Sequence, residues 1–162
     1  MLEKQVTFMK KYPDIVLCGS MWRELIGKKL SKQIATFVET DQAIKKSMSL
    51  FNPFSHSAVI FRKKTFIKAG GYSDRLKYSQ DYELWLRMLA LGKAWILKEE
   101  LAVVRMYEQS ASHKNARKQK LEALQIRWDA FQQFGGNPGQ ALYYFLKTLI
   151  GLIYPSKDHL HR

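Results

Sequence analysis

The chain has 162 residues, 46% of them hydrophobic and 13% aromatic, which is enough for the core of one ordinary domain and too apolar for wholesale disorder. Its 27 Lys and Arg against 14 Asp and Glu give a net charge of +13, which favours anionic surroundings such as phosphates, acidic lipid or nucleic acid without choosing among them. A lone cysteine, Cys18, excludes an internal disulfide and a cysteine-rich zinc site, as expected of a reducing compartment. The sequence also lacks G-x-G-x-x-G, G-x-x-x-x-G-K-[ST], H-E-x-x-H and any D-x-D or D-D pair, so the common phosphate cradles and metal clamps are missing.

Met1 to Lys11 does not read as a secretory signal, because charges at Glu3, Lys4, Lys10 and Lys11 surround a short apolar set. Leu2, Val6 and Met9 fall at helical spacing, and Tyr12-Pro13-Asp14 stops that helix, since proline disfavours the helical region for the residue before it. Ile15 to Cys18 is a compact β-prone run closed by Gly19-Ser20. Residues 21 to 38 read as a ribbon or loop excursion with a turn at Gly27. A helix is expected from Thr40-Asp41 to Met48, then a break at Asn52-Pro53 and a strand over Ala58 to Phe61. Lys63 to Ala69 gives a helical turn or two ended by Gly70-Gly71, and Ser79 to Leu91 is the clearest helix, with Ser79 as candidate cap and Asp81 and Glu83 in its first turn. Two short strands, Ala94 to Leu97 and Leu101 to Val104, flank a turn at Lys98-Glu99-Glu100. Beyond a polar stretch, helices are expected over Ala116 to Phe134 and Gln140 to Tyr154, separated by Gly135-Gly136-Asn137-Pro138. The fold class is mixed α/β with trailing helices.

Several short elements, in order and at ordinary loop spacings, carry a resemblance. Asn52-Pro53-Phe54-Ser55-His56-Ser57-Ala58-Val59-Ile60-Phe61-Arg62, Gly70-Gly71-Tyr72, Tyr78 to Arg87, Val104-Arg105 and Ser110 to Ser112 resemble the C-terminal half of family 2 glycosyltransferases, which have the A-type glycosyltransferase fold. The opening Leu2 to Val6, Pro13 and the run Ile15 to Gly19 also look like that family, at a point just after its metal-binding aspartates. The resemblance covers residues 1 to about 115, the acceptor-side half of the glycosyltransferase domain. Residues 116 to 162 form a helical tail that is only generically similar. It implies a chain without the donor-binding half: a fragment, a truncated gene product, or one part of a split enzyme whose donor-binding half acts in trans. Such a chain is expected to be inactive alone.

The chemistry expected of the complete enzyme is inverting transfer from a sugar-nucleotide donor to a glycan or lipid-linked acceptor in cell-surface polysaccharide or lipid-linked glycan synthesis, assisted by a divalent manganese or magnesium ion. Transfer with inversion needs a carboxylate within hydrogen-bond reach of the attacking hydroxyl. Asp81, at a helix start before an apolar face, suits this role and matches the family's base. The competing reading is a helix N-terminal acid. Gln80 stands where many relatives carry a glutamate. His56 is a candidate for binding an acceptor hydroxyl or phosphate, or a structural histidine. Trp85, with Trp95 and Tyr82, is a candidate stacking platform for a sugar face, or core. Arg105 is placed to approach a diphosphate or to pair with Glu99 or Glu100. Tyr107 occupies a position where relatives often show a histidine that assists the metal or diphosphate, and His113 is the weak substitute.

Cys18, in an apolar run, reads as a buried inert thiol, and the clusters Arg62-Lys63-Lys64 and Arg117-Lys118-Gln119-Lys120 as solvated faces. Ala141 to Tyr154 is almost wholly apolar but too short to span a bilayer, which takes about 20 residues. Two readings stay open: an interfacial helix on an anionic membrane surface, which would place the chain in the cytoplasm at the inner face of the membrane, or a helix packed on protein. The spread of charge over both halves and the lack of an RNA-binding or recognition-helix signature argue against nucleic acid. The competing functional class is a noncatalytic basic binding module, or one that docks on a donor-binding partner.

Overall fold

The computed structural model describes residues 1–31, 38–107 and 115–153. It is a mixed α/β structure. Helix α1 (Leu2–Lys11) leads into β1 (Ile15–Ile26), a tight turn and β2 (Lys29–Leu30). Then come α2 (Asp41–Ser47), a 3₁₀ turn (His56–Ala58), β3 (Val59–Phe61), α3 (Lys63–Lys68), α4 (Gln80–Leu89) and β4 (Lys93–Met106). Two trailing helices, α5 (Ala116–Phe134) and α6 (Pro138–Ile153), complete the described chain.

β1 is the centre of a four-stranded sheet. β4 runs parallel to it on one side, while β3 and β2 are antiparallel to it on the other. Its first seven residues are all buried, as befits a strand covered on both faces. Successive β4 side chains alternate between the two layers. Ala94 and Ile96 join Leu17, Ile44, Met48, Leu84, Trp85 and Ile126 in the larger core, against α2, α4 and α5. Trp95 and Leu97 face Met9, Ile15 and Cys18, the smaller core under α1. Ile126 and Ala130 of α5 are core residues, so the first trailing helix is built into the main layer.

Several sequence expectations change. Of the two readings of the segment after Ser20, the ribbon holds and the loop does not: β1 continues to Ile26 and turns at Gly27, whose φ of 59° is in the left-handed region, into β2. Residues 32–37 of that stretch lie outside the described residues, as does Tyr154 at the end of the last helix. The strands flanking Lys98-Glu99-Glu100 are one strand. Ser20 pairs with Leu97 and Met21 with Glu100, so β4 absorbs the extra residues as an irregularity instead of turning. Arg62 is not solvated: its guanidinium donates to the carbonyls of Met9 (2.7 Å), Tyr12 (3.3 Å) and Ile15 (2.8 Å), closing the end of α1. Gln5, unremarkable in the sequence, is fully buried and donates from Nε2 to the carbonyls of Cys18 (3.3 Å) and Ala58 (2.9 Å). Burial pushes the Cys18 thiol up to about 12, so it is a buried inert thiol.

The start of α4 has an unexpected cap. Ser79 occupies the N-cap position, but its hydroxyl donates to the Gln119 carbonyl (3.2 Å). The turn that leads into the helix, including the N-cap N–H, is held from outside it. The Glu122 carboxylate of α5 accepts from the backbone N–H of Lys77 (3.1 Å), Tyr78 (3.0 Å) and Ser79 (2.8 Å). Negative charge beside a helix N-terminus is also favoured by the helix dipole. Glu122→Ala is expected to lower unfolding stability by about 2 kcal/mol, because partly buried donors lose a charged acceptor. Chemical denaturation of the two proteins measures this directly.

Candidate functional site

Asp81 stands in the first turn of α4, where the following apolar residues fix the helix in the core: Tyr82, Leu84, Trp85, Leu86, Met88 and Leu89 are all buried. Asn52 reaches it from the loop before the 3₁₀ turn. The Asn52 side chain accepts from the Phe54 N–H (3.1 Å), an Asx turn that the following Pro53 suits, and donates from Nδ2 to Asp81 Oδ2 (3.3 Å). Burial raises the Asp81 pKa above its ordinary value, against the opposing pull of the Tyr82 N–H, the nearby His56, its own N–H and Asn52. Such a carboxylate holds a proton more readily than one in water, which is what a proton acceptor requires if it stays ionised at the working pH.

His56 begins the 3₁₀ turn and is exposed. Its Nε2 is 2.8 Å from the Tyr72 hydroxyl, and its ring meets Trp85 edge-on at 6.0 Å between centroids. Tyr72 follows Gly70 and Gly71, whose φ values of 84° and 68° put both in the left-handed region that turns the chain back from α3. Arg87 fixes that turn by donating to the carbonyls of Ala69 and Gly71 while paired twice with Glu83 at 2.6 Å. Burial, then the charge of Asp81, raises the Tyr72 pKa. Asn52, His56, Tyr72 and Asp81 are therefore one polar group at the edge of the core.

The other candidates fall elsewhere. Trp85 is fully buried among Phe54, Phe61 and His56, so it offers no open face to a sugar and instead backs His56. Tyr82 is buried too, its hydroxyl donating to the Met48 carbonyl, and Trp95 packs on Phe8. Arg105 is exposed near the end of β4, opposite Leu25 of β1. The acids near it in sequence have other partners, Glu99 with Lys4 and Glu100 with Arg23 (2.6 Å). His113 lies outside the described residues. Among the described residues no three His, Cys, Asp or Glu side chains form a group able to hold a metal ion. The described residues do not by themselves fit a resident metal.

Asp81 also opens onto a cavity of about 510 Å³ between the start of α4, α5 and α6. Lys120, Arg127 and Lys147 line its far side, and Asp81 is the sole acid lining it among the described residues. Lys120 is thus half-buried against a cavity and is not merely part of a solvated cluster. The sequence signal for this wall was the helical spacing of Gln119, Ala123 and Arg127 on α5 and of Tyr144, Lys147 and Thr148 on α6, but only packing shows that the two faces meet.

A raised carboxyl pKa has a definite sign in stability. The folded state binds the Asp81 proton more tightly than the unfolded state, so the associated stability is present at low pH and lost as pH rises through the folded pKa. Asp81→Asn should therefore melt no lower than the parent at neutral pH, with any advantage shrinking as the pH is taken below the ordinary aspartate range. Thermal melts of both proteins across that range check this, and a clear loss of melting temperature at neutral pH would contradict it.

No protein-family model matches the chain. Among curated proteins it is similar to the amylovoran biosynthesis glycosyltransferase AmsE of Erwinia amylovora, 38% identical over 92 residues that cover 56% of this chain and 33% of the relative. It is also similar to the Escherichia coli UDP-Gal:alpha-D-GlcNAc-diphosphoundecaprenol beta-1,3-galactosyltransferase, 27% identical over 126 residues, 77% of this chain and 46% of the relative. A third relative is an uncharacterised glycosyltransferase of Rickettsia typhi, 30% identical over 141 residues, 80% of this chain and 42% of the relative. The chain spans between a third and a half of the length of each. By these similarities the chain is a homologue of glycosyltransferases.

Proposed function

We propose that this chain is the acceptor-side portion of an inverting, sugar-nucleotide-dependent family 2 glycosyltransferase that builds cell-surface polysaccharide or a lipid-linked glycan. The observation that carries the reading is the Asp81 carboxylate: partly buried, raised in proton affinity, held by Asn52, and facing a cavity large enough for a ligand. The names of the relatives, which include a polysaccharide-building enzyme and one acting on a diphosphoundecaprenol-linked sugar, agree with it. In this proposal Asp81 takes the proton of the acceptor hydroxyl as that oxygen attacks the anomeric carbon. His56 and Tyr72 flank it, ready to hold neighbouring hydroxyls. Donor and divalent metal are bound by a donor-binding half, in the same polypeptide or in trans.

In an active enzyme containing this segment and a donor-binding half, Asp81→Asn should lower turnover by about 100-fold or more while leaving donor affinity nearly unchanged. Steady-state kinetics with donor titration tests it. Turnover close to the parent's would leave Asp81 as a helix N-terminal acid only.

The proposal includes a peripheral membrane position at the cytoplasmic face. No helix among the described residues is long and apolar enough to cross a membrane. Yet Leu142, Leu146, Ile150 and Ile153 form an exposed stripe along α6, each about half exposed or more. With a net charge of +13, that stripe suits an anionic bilayer surface. The chain should bind phosphatidylglycerol-containing vesicles in a salt-sensitive way, and much less those of phosphatidylcholine alone. The Ile150→Glu, Ile153→Glu double variant should lose most of this binding in co-sedimentation. Undiminished binding would remove α6 as the contact.

A further inference from the structure

The cavity beside Asp81 carries an imbalance of charge that the proposed base does not explain. Lys120, Arg127 and Lys147 face it from the two trailing helices, against one carboxylate. None of the three forms an ion pair with an acid among the described residues. Lys120 Nζ donates to the Gly151 carbonyl (3.1 Å) and Arg127 Nη1 to Thr148 Oγ1 (2.6 Å), so both are held in place by neutral groups that leave their charge uncompensated. The Arg127 Nε–H is buried without a close acceptor among the described residues, the guanidinium otherwise interacting with the neutral Tyr82 hydroxyl. Holding a guanidinium donor away from water with nothing to accept from it is costly, and an anion at that place would remove the cost.

We infer that Lys120, Arg127 and Lys147 bind the diphosphate of a lipid-linked acceptor. This rests on the reading of the Asp81 face as the acceptor side. Diphosphate chemistry follows from the donor set: two ammonium groups and a guanidinium, the latter suited to phosphate oxygens, beside few competing acids. The lipid source follows from α6, which carries both surfaces. On an ideal helix the stripe Leu142, Leu146, Ile150 and Ile153 points roughly 150° away from the mean direction of the cavity residues Tyr144, Lys147 and Thr148. Lys147 lies at the boundary between the two. A chain anchored in a bilayer under the stripe would bring its headgroup round this edge to Lys147, then to Lys120 and Arg127, leaving the sugar beyond the diphosphate towards Asp81. Arg105, the candidate for a donor diphosphate, is not part of this wall.

The test is calorimetric titration of the whole chain with farnesyl diphosphate, farnesol, inorganic pyrophosphate and uridine diphosphate. Farnesyl diphosphate should bind the most tightly, and its affinity should fall by about tenfold or more in both Lys147→Gln and Arg127→Gln. Lys147 is exposed, so its replacement should leave the melting temperature unchanged and keep the test valid if the Arg127 variant folds poorly. Asp81→Asn should retain the binding, which separates this site from the proposed base: loss of transfer with intact farnesyl diphosphate binding touches the base alone. Binding unaffected by Lys147→Gln overturns the inference. So does farnesol or pyrophosphate binding as tightly as farnesyl diphosphate, or uridine diphosphate binding more tightly through the same residues.

Discussion

The carboxylate of Glu122 is the bond that joins the trailing helices to the segment carrying Asp81. By accepting from the N–H groups of residues 77, 78 and 79, it ties α5 to the start of α4 and fixes the turn in which Asp81 sits. A side-chain cap from Ser79 would have held the helix locally. The bond from a second helix, forty-odd positions along the chain, makes the geometry of Asp81 depend on the trailing helices instead. The same helix inserts Ile126 and Ala130 into the main core, so packing and charge act together at one seam.

The proton affinity of Asp81 is settled by a contest between two environments. A helix N-terminus favours the ionised acid by about 0.3–1 kcal/mol in ordinary exposed settings. Removal from water opposes ionisation and can be worth several kcal/mol for an ion without full compensation. Asn52 and the local N–H groups offset part of that cost, and the net direction is upward. A helix-start acid that served only as a cap would have stayed in water, where the dipole prevails.

Where sequence patterns were local, they carried through. The apolar run at β1, the breaks at Pro13 and Gly27, and α4 with its buried face were all readable, because each depends on periodicity or on the backbone limits of proline and glycine. The motif residues Asn52, His56 and Asp81 do come together, although the partner Tyr72 had been noted without a role. What escaped depends on long-range neighbours. Lys98-Glu99-Glu100 has the composition of a turn, yet pairing with β1 stretches it into a strand. Arg62 resembles a solvated cation, yet carbonyls from the end of α1 surround it. The aromatic Trp85 lies one turn beyond Asp81 on the same face of the helix, and deeper into the fold the core takes it whole. The basic wall of α5 and α6 could not be seen in either helix separately.

The burial of Cys18 has a practical consequence. It is the chain's lone thiol, enclosed between α1 and the sheet, with its ionisation suppressed. A thiol-specific reagent can reach it only when that layer opens, so its labelling rate reports the opening equilibrium of the α1 side with no engineered probe. A second cysteine placed on the exposed face of α6 would react in the native state, and the two could be distinguished by rate alone. The fold thus comes with an internal clock for its own integrity, set apart from the helices that carry the site.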